Sequence, residues 1–354
     1  MPPGAHTDGK IADLTGPGIT DRWGVTATDL GAVVRAGNGK LVAVFGDTFA
    51  GPKVGRGDWR SPVILIGAGD ARTPIVWQQA GGPDPDYARQ LRHYIHDHGP
   101  HWNRGGISTV LPSDLLRVED MLYLHVIVNR GFPRVSWTEI WSSADNGTTW
   151  EHLGESAKFR SNLHDGHAQL WSWDYDPDDG WVYIASTGFQ RDKGIIVRRV
   201  RPAAIGTASA YRAWGRQRGG SWGWGEAAEV LTPAAERWGE LSLRRLGPGK
   251  WVLGGFLASE YALGYRVLTA PTAPLANMPV QQPISGCTWP RESHVDCRVA
   301  QLYGGYLLPG SQLDEPGGVG LVVSHWNTKR GWPYRVMQFR VTLRDTTEAQ
   351  GPAS

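Results

Sequence analysis

Two carboxylates stand eighteen positions apart near the start of the chain. Asp29 lies in Thr28-Asp29-Leu30-Gly31 and Asp47 in Phe45-Gly46-Asp47-Thr48. Between them run two apolar segments, Gly31–Val34 and Leu41–Phe45, separated by Gly37-Asn38-Gly39. β-Branched residues bounded by Gly and Asn read as an antiparallel hairpin. In a hairpin the start of one strand and the end of the next share one edge of the sheet. The pattern therefore predicts that Asp29 and Asp47 face each other there. Like charges held close cannot both ionise cheaply, so one group keeps a proton while the other serves as base or nucleophile. Glycoside hydrolysis requires that division of roles. Trp59-Arg60 follows directly. An indole offers stacking area, and a guanidinium offers forked donors to hydroxyl pairs. Each residue also has a structural alternative: the two Asp as turn caps, Trp59 in the core, and Arg60 as a bridge to an acid.

The elements that must position these residues recur. After the opening stretch, similar strand-turn-strand units begin at Gly106, Asp165, Gly239 and near Asp296. A spacing of roughly 60–75 residues is the scale of a long propeller blade. The expected fold is all-β, a five-bladed β-propeller with long inserted loops. Ser143-Ala144-Asp145-Asn146-Gly147-Thr148-Thr149-Trp150 matches S-x-D-x-G-x-T-W, which resembles the Asp-box of sialidase-like propellers. There the Asp holds a turn, so Asp145 is read as structural. Residues 1–20 are read as an N-terminal extension, 21–345 as the propeller and 346–354 as a tail. Insertions at 81–105 and 203–235 are long enough to shape a cleft, and Tyr87–His98 has the pattern of a short loop helix.

Aligning the unit starts gives Asp29, Gly106, Asp165 with His167, Glu240, and Asp296. A ring of acids at a propeller mouth suits glycoside hydrolysis, calcium binding or hydrogen bonding to loop amides. The candidate catalytic set is Asp29, Asp47 and Glu240; Glu240 could instead pair with Arg244 or Arg245. Candidate substrate-binding residues are Trp59, Arg60, Asp165, His167 and Asp296. The spacing of His164, Asp165 and His167 matches no zinc pattern, and neither metal nor cofactor is expected. His93, His96, His98 and His101 read as a solvated loop or a sugar-binding rim.

The chain has 354 residues, 40% of them hydrophobic, which suffices for a core. A net charge of +2 implies no pull toward nucleic acid or membrane. No run of 18 apolar residues suggests a membrane span, and Met1–Lys10 lacks the apolar segment of a signal peptide. The high counts of Gly (47) and Pro (24) suit short strands joined by turns, and the 18 Trp also fit a protein that binds sugar faces. Cys287 and Cys297 are expected to be bridged in an oxidising compartment, with two free buried thiols as the alternative. P-loop, G-x-S-x-G and H-E-x-x-H motifs are absent, which removes the commonest nucleotide, serine-hydrolase and metalloprotease classes.

Thr28-Asp29-Leu30-Gly31, Val44-Phe45-Gly46-Asp47-Thr48-Phe49, Asp58-Trp59-Arg60-Ser61-Pro62 and Trp238-Gly239-Glu240-Leu241-Ser242 together resemble the endo-D-arabinanase family of actinobacteria and their phages. The resemblance covers roughly residues 20–345 and is strongest in the first unit. It implies a five-bladed propeller hydrolysing D-arabinan, the furanose polymer of mycobacterial arabinogalactan and lipoarabinomannan. It maps the family's acidic pair onto Asp29 and Asp47, with inversion as the expected outcome. The partner would be an envelope arabinan and the location extracellular or in the cell envelope, by secretion or phage delivery. Two rivals share the fold: a non-catalytic carbohydrate-binding propeller, such as a phage adhesin, and a sialidase-like enzyme.

Overall fold

In the computed structural model, which describes residues 8–92, 94, 106–326 and 334–347, five sheets follow one another along the chain. Each begins at the axis and builds outward. The innermost strands are Ala27–Arg35, Thr109–Val118, Leu170–Asp176, Trp238–Gly247 and Leu302–Leu307. They pack side by side around the ring, and the architecture is a five-bladed β-propeller. Pairing within blades is antiparallel, apart from the short outer strand Arg298–Ala300, which runs parallel to Gln281–Cys287. Alternating burial along each strand turns apolar residues toward the neighbouring blades. Trp171, Trp173, Trp238 and Trp251 are fully buried, so part of the tryptophan surplus is interblade core. Each such side chain contributes about 1.5–3 kcal/mol or more by leaving water.

The ring closes through the N-terminus. Gly9–Asp13 adds to the outer edge of the last blade, pairing Lys10 with Phe339 and Asp13 with Met337. Leu14 then donates its N–H to Val336 O at 2.8 Å, while its own carbonyl accepts from Trp77 Nε1 of the first blade at 2.7 Å. The segment read as an extension is thus partly a blade strand. A short strand with one charged residue at each end carries no pattern of its own, and its partner lies over 300 positions away.

Adjacent inner strands splay too far apart for a common ladder, and hydroxyls bridge them. Ser113 Oγ accepts from Trp171 N at 2.6 Å, Ser172 Oγ from Leu243 N at 2.7 Å and Ser242 Oγ from Leu307 N at 3.0 Å. Between the fifth and first blades the hydroxyl comes from the second strand of the fifth blade, Val319–Trp326, where Ser324 Oγ donates to Leu30 O at 2.8 Å. Beside the axis Arg244 grips Asp114 with two nitrogens, at 2.7 and 2.8 Å.

Three further expectations change. Cys287 and Cys297 are free thiols. In the parallel pair Cys287 lies opposite Ala300, which sets Cys297 about three residues, or roughly 10 Å, short of it, beyond disulfide reach. Residues 203–235 include two strands, Arg212–Arg216 and Trp222–Gly225, that extend the third blade outward rather than walling a cleft. Residues 87–92 form no helix; His93, His96, His98 and His101 lie outside the described residues. Asp145 takes the turn role: its Oδ1 accepts from Thr149 N at 2.8 Å, and Trp150 packs beneath with its indole on Gly147 O at 3.1 Å.

Candidate active site

A cleft of about 810 Å³ opens at one mouth of the axis and contains Asp29, Asp47 and Glu240. Breaks in ladder register accompany these positions. In the first inner strand the pairing slips on both sides of Leu30, whose φ is 63°, followed by Gly31 at 115°. Such a bulge re-aims the neighbouring side chain, here Asp29. The fourth inner strand slips between Trp238 and Leu241, around Glu240. The fifth slips after Tyr303, at Gly304 and Gly305 with φ of 69° and 149°. Glycine at position 46 gives Asp29 its room, since a Cβ there would stand 2.5 Å from Asp29 Oδ1.

Few groups satisfy these acids. Asp29 is buried; its Oδ2 accepts from the Tyr303 hydroxyl at 3.1 Å, and its Oδ1 has no hydrogen-bond partner among the described residues. Half-buried Asp47 accepts from Trp59 Nε1 at 2.9 Å. Glu240 forms an ion pair with Arg191 at 2.5 Å through Oε1, while its buried Oε2 has no partner among the described residues. Arg191 also lies 5.2 Å from the rings of Phe256 and Tyr303. Burial holds the Asp29 carboxyl well above the usual carboxylate range, and the Asp47 and Glu240 charges push the same way; the Tyr303 bond and Arg191 oppose them. Burial also lifts Asp47, to about 6, against the Trp59 and Thr109 donors. Burial thus raises two of the cleft's carboxyls above the usual range, a condition that suits acid–base work.

Trp59 joins them in the cleft, stacked on Phe49 at 5.8 Å. Arg60 does not. Successive strand residues point to opposite faces, and Arg60 is buried behind the cleft, donating to Ala88 O and Gly24 O and lying 4.5 Å from the Tyr87 ring. It pins the loop after the first blade. Asp165 and His167 lie in a turn before the third inner strand: Asp165 is exposed, 3.6 Å from Lys193, and His167 Nδ1 lies 2.9 Å from His164 O. Asp296 is exposed in the fourth blade's outer segment, held by Ser293 and Arg298 at 2.8 Å each. The inner strands of those units start later than their acids, at Leu170 and Leu302. Arg60, Asp165, His167 and Asp296 are therefore not cleft residues.

Sequence reasoning missed Arg191, Tyr303 and the apolar walls Phe132, Phe189, Phe256 and Trp326. Tyr303-Gly304-Gly305 offered one signal, a polar residue beside glycines within a strand, as at Asp29-Leu30-Gly31. Arg191 sits in a loop with no pattern. Among the described residues, the set of three side chains spaced to hold a metal ion lies outside the cleft, at Glu292, His294 and His325.

Residues 15–340 match the family model described as "Domain of unknown function (DUF4185)", and the chain belongs to that family. An uncharacterized 35.9 kDa protein of Mycolicibacterium smegmatis is 30% identical over 346 residues, covering 94% of this chain and 97% of its own. The fold is similar to that of the α-L-arabinanase of Cellvibrio cellulosa, solved with arabinohexaose (TM-score 0.53, 11% identity, 89% of this chain and 91% of that one). It is also similar to that of a GH43_1 enzyme from Xanthomonas citri (TM-score 0.51, 12% identity, 88% and 87%).

Proposed function

We propose that this DUF4185 protein is an endo-acting glycoside hydrolase that cleaves D-arabinan of the actinobacterial envelope with inversion. The observation that carries the reading is the convergence of three carboxyls in one cleft, two of them with buried oxygens that no group among the described residues satisfies. A scaffold acid would be saturated; these are aimed at an occupant. Asp29, whose carboxyl burial raises well above the usual range, holds the proton and gives it to the leaving oxygen. Asp47, mostly ionised above about 6, takes a proton from the attacking water. Glu240, paired with Arg191, contributes fixed charge beside the anomeric centre. Trp59 and the phenylalanine walls offer apolar area for sugar faces. The substrate rests on the letters of the first unit, which resemble endo-D-arabinanases, and on the similarity of the fold to an α-L-arabinanase solved with arabinohexaose. Action on an envelope polymer puts the protein outside the cell or in the envelope.

Incubation with purified arabinogalactan, with product sizing by chromatography, tests this. A ladder of oligosaccharides is expected. Intact polymer retained by the protein would make it a binding module instead. If Asp29 is the proton donor, Asp29→Asn keeps more activity on an aryl arabinoside with a good leaving group than on the polymer.

A further inference from the structure

Away from the cleft, Glu292, His294 and His325 meet where the fourth blade, the fifth blade and the N-terminal strand come together. Glu292 and His294 lie in the segment joining the strands Gln281–Cys287 and Arg298–Ala300. Lys10 of the N-terminal strand donates its backbone N–H to His294 O at 3.2 Å. His325 lies in Val319–Trp326 of the fifth blade, one residue before the cleft-wall Trp326.

The donor atoms are spaced for one small ion. His294 Nε2 is 2.8 Å and His325 Nδ1 3.5 Å from Glu292 Oε1, and one ligand atom from each residue lies within 4.8 Å of the others. Ligand atoms about 2.0–2.1 Å from a tetrahedral ion stand roughly 3.3 Å apart. His325 is fully buried; among the described residues its Nε2 has no hydrogen-bond partner and its Nδ1 has only the 3.5 Å approach to Glu292. A buried imidazole so thinly satisfied is costly, and a bound ion would remove that cost. Trp289 lies 5.8 Å from the His325 ring and Phe339 5.8 Å from the His294 ring, giving the site an apolar wall. The cations nearby, Lys10 and Arg335, are each matched to Asp13, at 3.2 and 3.5 Å. His125 is also buried without partners, but it stacks flat on Trp171 at 3.8 Å and belongs to no such set among the described residues.

We infer that Glu292, His294 and His325 bind one divalent ion of the zinc type, with solvent as fourth ligand, and that the ion clasps the ring at its closure. Two imidazoles and one carboxylate suit zinc and its first-row neighbours, whereas calcium needs six or more oxygens. The site is independent of the proposed hydrolysis.

The test uses the full chain, stripped with EDTA and titrated with Zn²⁺ by calorimetry, with Co²⁺ as a visible-spectrum probe. One ion per chain is expected, with the intense d–d bands of tetrahedral cobalt and a rise in Tm of a few degrees. His325 is fully buried and its loss would disturb packing, so His294→Ala and Glu292→Gln carry the comparison; each should weaken binding by more than about 100-fold. No stoichiometric binding by the wild type, or unchanged affinity in both variants, would overturn the inference.

Discussion

Asp29 and Asp114 are the same residue type, both buried on innermost strands, and their surroundings could hardly differ more. Asp114 accepts from Arg244 through two nitrogens, from Ser172 Oγ at 2.6 Å, from Leu115 N at 2.8 Å and from Trp173 N at 3.2 Å. Its charge is matched and its lone pairs are filled. Among the described residues, Asp29 has one tyrosine hydroxyl, one oxygen without a partner and two other carboxyls near enough to push its proton affinity up. The first arrangement joins the second, third and fourth blades. On the proposed function, the second sets aside stability to hold a proton where a substrate can take it. Burial of an acid therefore does not identify a site; what the acid lacks does.

Several substitutions would break or sharpen that contrast. The largest effect is expected at Asp47: Asp47→Asn keeps the shape but removes the charge, and turnover on arabinan should fall at least about 10²-fold with the fold intact by circular dichroism. On the scaffold side, Arg244→Met leaves Asp114 buried without its cation. Urea unfolding should show a loss of about 3–5 kcal/mol, while activity per folded molecule changes little. Next comes pH. With Asp47 lifted to about 6, kcat/KM should fall about tenfold per unit below that value. On the alkaline side it should fall as Asp29 loses its proton, and that limb should vanish in Asp29→Asn. The smallest effect concerns stability. The folded-state pKa of Asp47 is raised above its unfolded value near 4. The folded chain thus binds more protons between pH 4 and 6 and loses stability as pH rises through that window. Asp47→Asn, which cannot ionise, should melt about 2–4 °C above the wild type at pH 8 and show no advantage at pH 4. A lower Tm at pH 8 would place Asp47 with the scaffold acids.

What the sequence disclosed follows from the same physics. Blades were legible because glycine and asparagine turns punctuate apolar strands at a regular spacing, and Asp29 and Asp47 were legible as neighbours because a hairpin fixes that relation locally. Glu240 was reachable because it lies in an inner strand. Asp165 and Asp296 misled because the units were aligned on their acids, while the inner strands begin several residues later, at Leu170 and Leu302. Arg191 and Tyr303 reach the cleft from the third and fifth blades, and no local pattern reports a contact made across the ring. The N-terminal strand was hidden for the same reason: its partners lie at the opposite end of the chain.

On the proposed function, unsatisfied carboxyls at the mouth act on substrate while satisfied ones hold the ring. That division is tested most directly by measuring Asp29→Asn and Asp114→Asn side by side, each for Tm and for arabinan turnover per folded molecule. Asp29→Asn should lose at least about 10²-fold in turnover and keep or raise its Tm. Asp114→Asn should lower its Tm by several degrees or more and retain turnover within about threefold where folded. If Asp29→Asn remains active, or if both variants lose stability and turnover together, the division between site and scaffold is wrong.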